Sequence, residues 1–392
     1  MRGFRAVAAT LMPLLVGLGG ALCSFPSEAD QPSTPKYRVD PFWPKPLPQN
    51  WVTGEVGGTC IDSQDHVFIV TRGFQTGGLV SPEGVAGQPV KSTASPPVIE
   101  FDPDGNVVNA WGDPSLVPAG SPNAGKNAVL PNGIHGCFVD FQDNVWIAGN
   151  GDGVVQKYSH DGSKLLLIIG TKFLCDKGTP AGGTCGNIGL TGASTTLLND
   201  PADIAVDPTN GDVYIADGYG NHRVVVFDKN GVYLRQMGGV GTGMGQFTAG
   251  DGGHPHCVVI GKDGLVYACD RGQDRINVYQ KDGTPVAEIP VIPGTAALGT
   301  AGSAWDVDFS PGQRQTFMFE SDGGNEVLWI FNHAAALAGL PGALLSGFGT
   351  PGHMAGQFTF LHMIAVDSHG NLYAGETIGG RRIQKFKPVG DD

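Results

Sequence analysis

Residues 201–227, PADIAVDPTNGDVYIADGYGNHRVVVF, are one copy of a repeat from which the fold can be predicted. Two short apolar runs flank a turn rich in Asp, Asn and Gly, and a third apolar run ends in Phe227. Short strands joined by tight turns predict an antiparallel sheet. The same form recurs in residues 57–73, 134–150, 255–279, 303–331 and 361–386. Repeats of this size, with four strands to a unit, predict a six-bladed β-propeller in the all-β class.

The composition agrees with one closed all-β unit. The 392 residues include 62 Gly and 28 Pro, and only 16% are charged, which indicates many turns and a large half-buried sheet surface. The net charge of −13 argues against nucleic acid and anionic membranes as partners, because phosphate binding needs concentrated Lys and Arg. We therefore expect a small-molecule or peptide substrate, and a monomer because a closed ring leaves no obvious edge to pair.

The first 29 residues have the features of a cleaved secretion signal, with two arginines, an apolar stretch and small residues near the end. A lipid attached at Cys23 is the alternative, but Leu22 before it fits that pattern poorly. We therefore expect a secreted or periplasmic protein without a lipid anchor. No later stretch is long and apolar enough for a membrane helix.

The sixth repeat is one strand short, because it runs out soon after Phe386. An open edge strand invites association, and the segment KYRVDPF beginning at Lys36 is available to complete the sheet. We therefore predict that residues 30–50 contain a closing strand, that residues 51–388 form the propeller as a single domain, and that residues 389–392 are a tail.

Export would place the cysteines in an oxidising compartment. Cys175 and Cys185 bracket the loop DKGTPAGGT, and we predict a disulfide between them. The other four lie inside apolar strand patterns, where a small buried thiol is the expected state: Cys60, Cys137, Cys257 and Cys269.

One position of the repeat changes its chemistry from blade to blade. The six segments can be aligned on the residue just after each first strand: Asp62, Asp140, Asp207, Gly261, Asp308 and Asp367. Five places upstream, the residues are Gly57, His135, Ala202, His256, Ser303 and His362. In this alignment, small residues and histidines alternate around the ring.

Equivalent positions on the first strands of a propeller lie at one depth around the central channel. His135, His256 and His362 would therefore converge on the axis from three sides. Three neutral imidazoles with a fourth position open suit Zn²⁺, although copper, iron or cobalt fit the same donors. A lone histidine in a β protein is usually a satisfied or exposed side chain, but three at one register predict one shared metal ion.

Further polar residues end the second strands, at the same mouth of the channel. Arg72 and Arg271 occupy one register in the first and fourth blades, so their guanidiniums could clamp a substrate carboxylate. Salt bridges to rim acids such as Asp270 are the alternative. Tyr219 follows a second strand, where its phenol could serve as a base, although a loop tyrosine more often has a packing role.

Two other patterns do not predict catalysis. Residues 159–162, SHDG, include the residue types of a hydrolase triad, but contiguous residues on a turn point in different directions. His254 lies close to His256 along the chain, but Pro255 separates them. We therefore expect a loop or supporting role for His254.

The strings DVYIADGYGNHRVVVF and HPHCVVIGKDGLVYACDRGQDRI, together with the three-histidine register, resemble the peptidyl-α-hydroxyglycine α-amidating lyase family. This family belongs to the broader group of NHL-repeat propellers, and the resemblance covers residues 51–386. It implies cleavage of a peptide ending in α-hydroxyglycine to an amide and glyoxylate. The implied roles are zinc ligands for His135, His256 and His362, a base for Tyr219, and substrate anchors for Arg72 and Arg271.

The chain departs from that family at several positions. Phe360 replaces the methionine before the third histidine, and Met363 replaces an acidic ligand of a structural calcium ion. The resemblance therefore does not extend to calcium at that site. Gly220 and Asn277 each replace one half of a family disulfide.

Three functions are compatible with these observations. The first is a secreted zinc lyase acting on an α-hydroxyglycine-type carbinolamide. The second is a metal-dependent hydrolase on the same propeller, such as a lactonase or esterase. The third is a non-catalytic propeller that binds peptide or polysaccharide, because a fold does not determine function.

Overall fold

A computed structural model describes residues 33–72, 93–112, 130–176, 194–249 and 252–390. These residues include six four-stranded antiparallel sheets, which confirms the predicted six-bladed propeller. The chain divides into two compact units, Met1–Thr34 and Pro35–Asp392. Every strand given below belongs to the second unit.

The first half of the ring is built from consecutive stretches of chain. The chain enters through β1 (Lys36–Asp40), a 3₁₀ turn (Pro48–Asn50) and β2 (Trp51–Val52), which pairs in parallel with β5 (Thr93–Ala94). Blade 1 contains β3 (Val56–Ile61), β4 (Val67–Thr71), β6 (Val98–Phe101) and β7 (Val107–Trp111). Blade 2 contains β8 (Ile134–Val139), β9 (Val145–Gly149), β10 (Val154–Tyr158) and β11 (Leu165–Gly170). Blade 3 contains β12 (Asp203–Val206), β13 (Val213–Asp217), β14 (Arg223–Phe227) and β15 (Tyr233–Gly238).

The second half of the ring follows the same plan until its last sheet. Blade 4 contains β16 (Val258–Ile260), β17 (Val266–Asp270), β18 (Arg275–Tyr279) and β19 (Pro285–Pro290), with 3₁₀ turns at Arg271–Gln273 and Ala296–Leu298. Blade 5 contains β20 (Ala304–Phe309), β21 (Phe317–Asp322), β22 (Val327–Asn332) and β23 (Leu344–Phe348), with the helix α1 (His333–Leu337) before its last strand. Blade 6 contains β24 (Leu361–Val366), β25 (Leu372–Glu376) and β26 (Arg382–Val389).

The ring is closed by β1, as the sequence predicts. This strand pairs with β26 in antiparallel fashion, with Lys36 opposite Val389 and Asp40 opposite Lys385. The sixth sheet thereby gains its fourth strand, and the two ends of the propeller are held together by backbone hydrogen bonds.

The first strands of the blades surround a central channel. Each contacts the next around the ring, in the order β3, β8, β12, β16, β20 and β24, and β24 contacts β3 again. Residues from all six strands line a cavity of about 360 Å³. Equivalent positions of the first strands therefore face one another across the axis.

Hydrophobic clusters pack between neighbouring blades, and the six interfaces of the ring each have one. Between blades 3 and 4, for example, Tyr214 and Val226 pack with Val266 and Tyr279. Burying one large apolar side chain contributes about 1.5–3 kcal/mol to folding. Because both faces of each blade are covered, second strands such as β13 are buried at every residue.

The aspartate that recurs after the first strand has a structural role. Asp62 Oδ1 accepts hydrogen bonds from the backbone N–H groups two and four residues further along, at 2.9 and 2.8 Å. Asp140 and Asp367 make the same pair of bonds. This side-chain turn fixes the hairpin between the first two strands, which explains why the residue recurs.

The expectation of four free buried thiols is wrong. Cys60 and Cys137 form a disulfide between the first strands of blades 1 and 2, and their Cα atoms are 5.8 Å apart. Cys257 and Cys269 form another between adjacent strands of blade 4, with a Cα separation of 5.0 Å. Apolar flanking residues are compatible with a free thiol and with a disulfide. Which cysteines pair depends on which strands lie side by side in the folded ring. These bonds are typical of proteins in oxidising compartments.

Some predictions fall on residues that the structure does not describe. Cys175 is disulfide-bonded, but its predicted partner Cys185 lies outside the described residues, as do Cys23 and the predicted signal peptide. Within the described parts of the chain, no helix has the length and apolar character needed to cross a bilayer.

Candidate metal centre

Three histidines from alternate blades meet in the channel, as the repeat register predicts. The ring centroids of His135, His256 and His362 are 4.9, 4.7 and 4.8 Å apart, so the imidazoles form a nearly equilateral triangle. Their nearest ring nitrogens lie within 4.8 Å of one another, and all three side chains are buried.

Backbone carbonyls of the intervening blades orient these rings. His135 Nδ1 lies 2.8 Å from the Ala202 carbonyl oxygen, and His362 Nδ1 lies 2.9 Å from that of Gly57. His256 Nδ1 lies 2.8 Å from the carbonyl oxygen of Trp305. Each Nδ1–H donates to its carbonyl, so each Nε2 carries a lone pair. Backbone carbonyls orient metal-binding histidines in this way.

The donor set fits a metal ion. His256 Nε2 is buried and has no hydrogen-bond partner among the described residues, which is costly unless another ligand binds it. Burial lowers the pKa of all three imidazoles well below their usual value, and the charge of Arg271 lowers each further. The rings are therefore neutral near pH 7, as metal ligation requires.

The Tyr219 hydroxyl lies beside the triangle. It is 3.2 Å from His135 Nε2 and accepts a hydrogen bond of 3.2 Å from Arg271 Nη2. Its ring centroid is 5.6 Å from that of His135 and 6.0 Å from that of His256. The structure thus brings the predicted tyrosine within reach of any ligand held by the histidines.

The two predicted arginines have different surroundings. Arg271 is buried, donates to the carbonyl of Gly252 and stacks on the Trp305 ring at 4.3 Å. Its Nε has no partner within the described residues, and none of the salt bridges there involves it. Asp270, the rim acid weighed as its partner, instead binds Arg275 at 3.3 Å. Arg271 therefore keeps hydrogen-bonding capacity for a ligand.

Arg72 is partly committed to the protein. Its Nε donates to the Ile134 carbonyl at 2.6 Å, and its Nη1 lies 3.2 Å from Glu55 Oε2. The interpretation as a salt bridge with a rim acid therefore holds for Arg72, whereas it fails for Arg271. The charge of Arg72 still acts on the site, because it lowers the pKa of His135 and His362.

The alignment of the fifth blade is wrong by two residues. Strand pairing places Trp305, not Ser303, at the position equivalent to the three histidines. The error arises because Asp308, on which this blade was aligned, lies inside β20 instead of directly after it. Instead of leaving space, the Trp305 ring packs against His256 and His362, with centroid distances of 5.5 and 5.8 Å.

Glu320 is a supporting residue that the sequence patterns did not reveal. A β-bulge at Trp305 interrupts the pairing of β20 with β21, and Glu320 Oε1 accepts a hydrogen bond of 3.1 Å from the Trp305 N–H. The Trp305 carbonyl is left to orient His256. Burial raises the pKa of Glu320 well above its usual value, with further contributions from Asp322 and Asp306. The only sequence signal is an acidic residue within the apolar run of β21.

His254 and the SHDG stretch, for which the sequence did not predict catalysis, have structural roles. His254 Nδ1 accepts a hydrogen bond of 3.1 Å from the Gly272 N–H, so it holds the segment that follows Arg271. Ser159 Oγ donates to Asp161, while His160 Nε2 lies 2.9 Å from Asp62 in the neighbouring blade. These residues form no catalytic relay.

Comparison with known proteins finds similarity to proteins that contain NHL repeats. A family model for the NHL repeat matches residues 198–227. The chain is 27% identical over 372 residues to NHL repeat-containing protein 3 of Mus musculus, over 90% of this chain and 85% of that protein. It is 23% identical over 376 residues to peptidyl-glycine alpha-amidating monooxygenase B of Xenopus laevis, over 89% of this chain and 35% of that longer protein. Over 103 residues, 26% of this chain and 21% of the relative, it is 33% identical to peptidyl-alpha-hydroxyglycine alpha-amidating lyase 2 of Drosophila melanogaster. The chain is therefore a six-bladed propeller with an NHL repeat, similar at low identity to NHL repeat-containing and peptidylglycine-amidating proteins.

Proposed function

We propose that this protein is a secreted, zinc-dependent lyase that cleaves an α-hydroxyglycine-type carbinolamide into an amide and glyoxylate. The observation that carries the proposal is the convergence of three buried, neutral imidazoles beside the Tyr219 hydroxyl. His135, His256 and His362 would hold the metal ion. A bound Zn²⁺ would supply a Lewis acid for a substrate oxygen.

The reaction needs only proton transfers around one carbon–nitrogen bond. The substrate hydroxyl loses its proton, the carbon–nitrogen bond breaks as the carbonyl of glyoxylate forms, and the amide nitrogen gains a proton. No oxidant or reductant is consumed. Tyr219 is placed to accept the first proton, because its hydroxyl lies at the edge of the triangle and is hydrogen-bonded by Arg271.

The guanidinium groups of the site could bind the carboxylate of the proposed substrate. Arg271 has no carboxylate partner within the described residues, its Cζ lies 4.3 Å from the Trp305 ring centroid, and its Nε has no hydrogen-bond partner there. A planar guanidinium binds a carboxylate with two hydrogen bonds. Arg72, which already contacts Glu55, adds positive charge from the opposite blade.

The names of two relatives support the proposed reaction, and the disulfides of this chain support export. Two of them are named for amidation, as a monooxygenase and as a lyase, and the lyase name agrees with the chemistry proposed here. NHL repeat-containing protein 3 carries no reaction in its name. Export is supported by the disulfides of blades 1, 2 and 4.

The test is incubation of the zinc-loaded protein with α-hydroxyhippurate, followed by measurement of glyoxylate and benzamide in equal amounts. Removal of the metal with a chelator should abolish release, and added Zn²⁺ should restore it. A protein that ignores α-hydroxyhippurate but opens lactones or esters would be a hydrolase instead. One that binds peptide or polysaccharide and turns over neither would be a scaffold.

A further inference from the structure

A second group of metal-binding side chains lies at the opposite end of blade 1 from the histidine triangle. Asp62, His66 and Glu100 each offer one ligand atom, and these atoms lie within 4.8 Å of one another. His66 Nδ1 is 2.6 Å from Glu100 Oε1 and 3.7 Å from Asp62 Oδ2. Both carboxylates are buried, whereas the imidazole is partly exposed.

The other blades show that this group departs from the repeat. The third-strand position of Glu100 is occupied by Lys157 in blade 2 and by Lys385 in blade 6. Lys157 Nζ lies 2.9 Å from the turn aspartate of its own blade, Asp140. The same position is apolar in blades 3, 4 and 5, where the residues are Val226, Val278 and Ile330. Blade 1 is therefore the blade that places a second carboxylate there, where blade 2 has a lysine that neutralises its turn aspartate.

The neighbouring hairpin also lacks its lysine. In blade 4 the third-to-fourth-strand turn carries Lys281, whose Nζ lies 2.6 Å from Asp207 of blade 3. The equivalent residue in blade 2 is His160, which lies 2.9 Å from Asp62 Oδ2. Its ring is fixed edge-on against Phe68, at a centroid distance of 5.3 Å.

The charges of this group are not balanced by lysine or arginine. Within the described residues, the ion pairs of Asp62 and Glu100 are with histidines. Asp62 Oδ1 is used by the turn amides, so Oδ2 is the oxygen that faces His66 and His160. Two buried carboxylates thus face each other without a lysine or arginine partner within the described residues, and a divalent cation would offset their charge.

We propose that Asp62 Oδ2, His66 Nδ1 and Glu100 Oε1 bind a divalent transition-metal cation, separately from the histidine triangle. Tetrahedral bonds of about 2.0–2.1 Å require ligand atoms about 3.3 Å apart. The 3.7 Å separation of His66 Nδ1 and Asp62 Oδ2 is close to this value, whereas His66 Nδ1 and Glu100 Oε1 form a hydrogen bond of 2.6 Å that the cation would replace by moving these two atoms apart. His160, hydrogen-bonded to the same Asp62 oxygen, orients that ligand from blade 2. All three ligands belong to blade 1, and the site has a structural role at the contact of this blade with blade 2.

The test is to count Zn²⁺ ions bound per full-length chain after removal of metal and equilibrium dialysis against Zn²⁺. The wild-type protein should bind two, and Glu100→Lys, which restores the residue of blades 2 and 6, should bind one. His256→Ala should also bind one, because it removes the other centre. His369→Ala is the matched control, since the exposed His369 ring contacts Asp65 at 3.2 Å and Ser368 at 3.3 Å, away from both centres, and its loss should leave the count at two.

Folding and affinity are checked with a gentler variant. Glu100→Gln preserves the size of the side chain and should weaken the second Zn²⁺ by at least tenfold while the thermal midpoint without metal stays near that of wild type. A folded Glu100→Lys protein that binds as much Zn²⁺ as the wild type would overturn this site. Failure of the histidine triangle would look different, because His256→Ala would then leave the count unchanged.

Discussion

Tyr219 is the side chain on which the proposed chemistry depends most directly. We expect Tyr219→Phe to lower kcat for glyoxylate release by at least about 100-fold, the usual range for loss of a general base. Zinc content should not change, because the three histidine nitrogens, and not the Tyr219 phenol, are the proposed zinc ligands. The measurement is turnover of α-hydroxyhippurate together with metal analysis. Tyr233→Phe on the outer strand β15 is the control, and full activity in Tyr219→Phe would remove this residue from the mechanism.

The histidines of the site could be predicted from the sequence, because a repeat converts spacing along the chain into position around the axis. His135, His256 and His362 each lie five residues before a turn residue of their own blade, and the structure brings them together. Trp305 could not be found in this way, because Asp308 is the acidic residue in the expected place but lies inside β20, so the count began two residues too early. The separate surroundings of Arg72 and Arg271 depend on neighbours far away in sequence.

At the level of single elements, β-bulges shape the first strands. Pairing of the first strand with the second is interrupted near Gly57, His135, Trp305 and His362. A bulge re-aims side chains and leaves backbone groups unpaired. Two of the three carbonyls that orient the imidazoles, those of Gly57 and Trp305, lie at such bulges. The sequence does not predict these bulges, because no single residue type is common to all of them.

The bulge in blade 5 gives a prediction for Glu320. Glu320→Ala should weaken zinc binding at the triangle by about 10–100-fold, because it leaves the Trp305 N–H unsatisfied and frees the carbonyl that orients His256. Glu320→Gln keeps the accepting oxygen and should bind zinc like the wild type. Competition with a chromophoric chelator would measure both affinities. Equal weakening in the two variants would contradict a positioning role for this oxygen.

The closing strand β1 also makes a prediction at this level. The Tyr37 ring packs against Phe319 and Phe348, at centroid distances of 5.7 and 5.4 Å, and its hydroxyl donates to the Gly370 carbonyl. Tyr37→Ala should lower the free energy of unfolding by about 2–3 kcal/mol, less than the roughly 3–5 kcal/mol of a fully buried aromatic residue, because the ring is only partly buried. Tyr37→Phe should cost only about 1 kcal/mol. Urea unfolding would measure both, and an unchanged midpoint in Tyr37→Ala would mean that β1 does not hold the ring closed.

For the whole molecule, the ring buries carboxyl groups in its channel. Burial raises the pKa of Asp203 to about 7, and raises that of Asp306 with a further contribution from the charge of Asp203. The folded protein therefore binds more protons than the unfolded chain between pH 4 and 7. Stability from this source is complete below pH 4 and is lost as the pH rises through 7.

Asp203→Asn tests this dependence, because an amide cannot ionise. Its free energy of unfolding should vary less between pH 4 and 7 than that of the wild type, by on the order of 2–4 kcal/mol. Denaturant unfolding at several pH values would measure the difference. Asp228→Asn, on an outer hairpin, is the control and should follow the wild-type profile. Parallel profiles for Asp203→Asn and wild type would show that this carboxyl is ionised in the folded protein.

The number of blades and the closure of the ring could be predicted from the sequence. Six segments repeat, the sixth ends one strand short, and the N-terminal segment can supply that strand. The disulfides that reinforce the ring could not be predicted. Cys60 and Cys137 are 77 residues apart and pair across two blades, so their proximity exists only after the propeller has closed. Apolar flanking residues gave the same signal for a free thiol and for a disulfide.

Anomalous diffraction from zinc-loaded crystals, recorded on either side of the zinc absorption edge, would locate a metal ion held by the three histidines. We expect an anomalous peak on the channel axis, about 2.0–2.1 Å from the Nε2 atoms of His135, His256 and His362. Absence of that peak in fully loaded crystals, with the three imidazoles still turned inwards, would contradict this expectation.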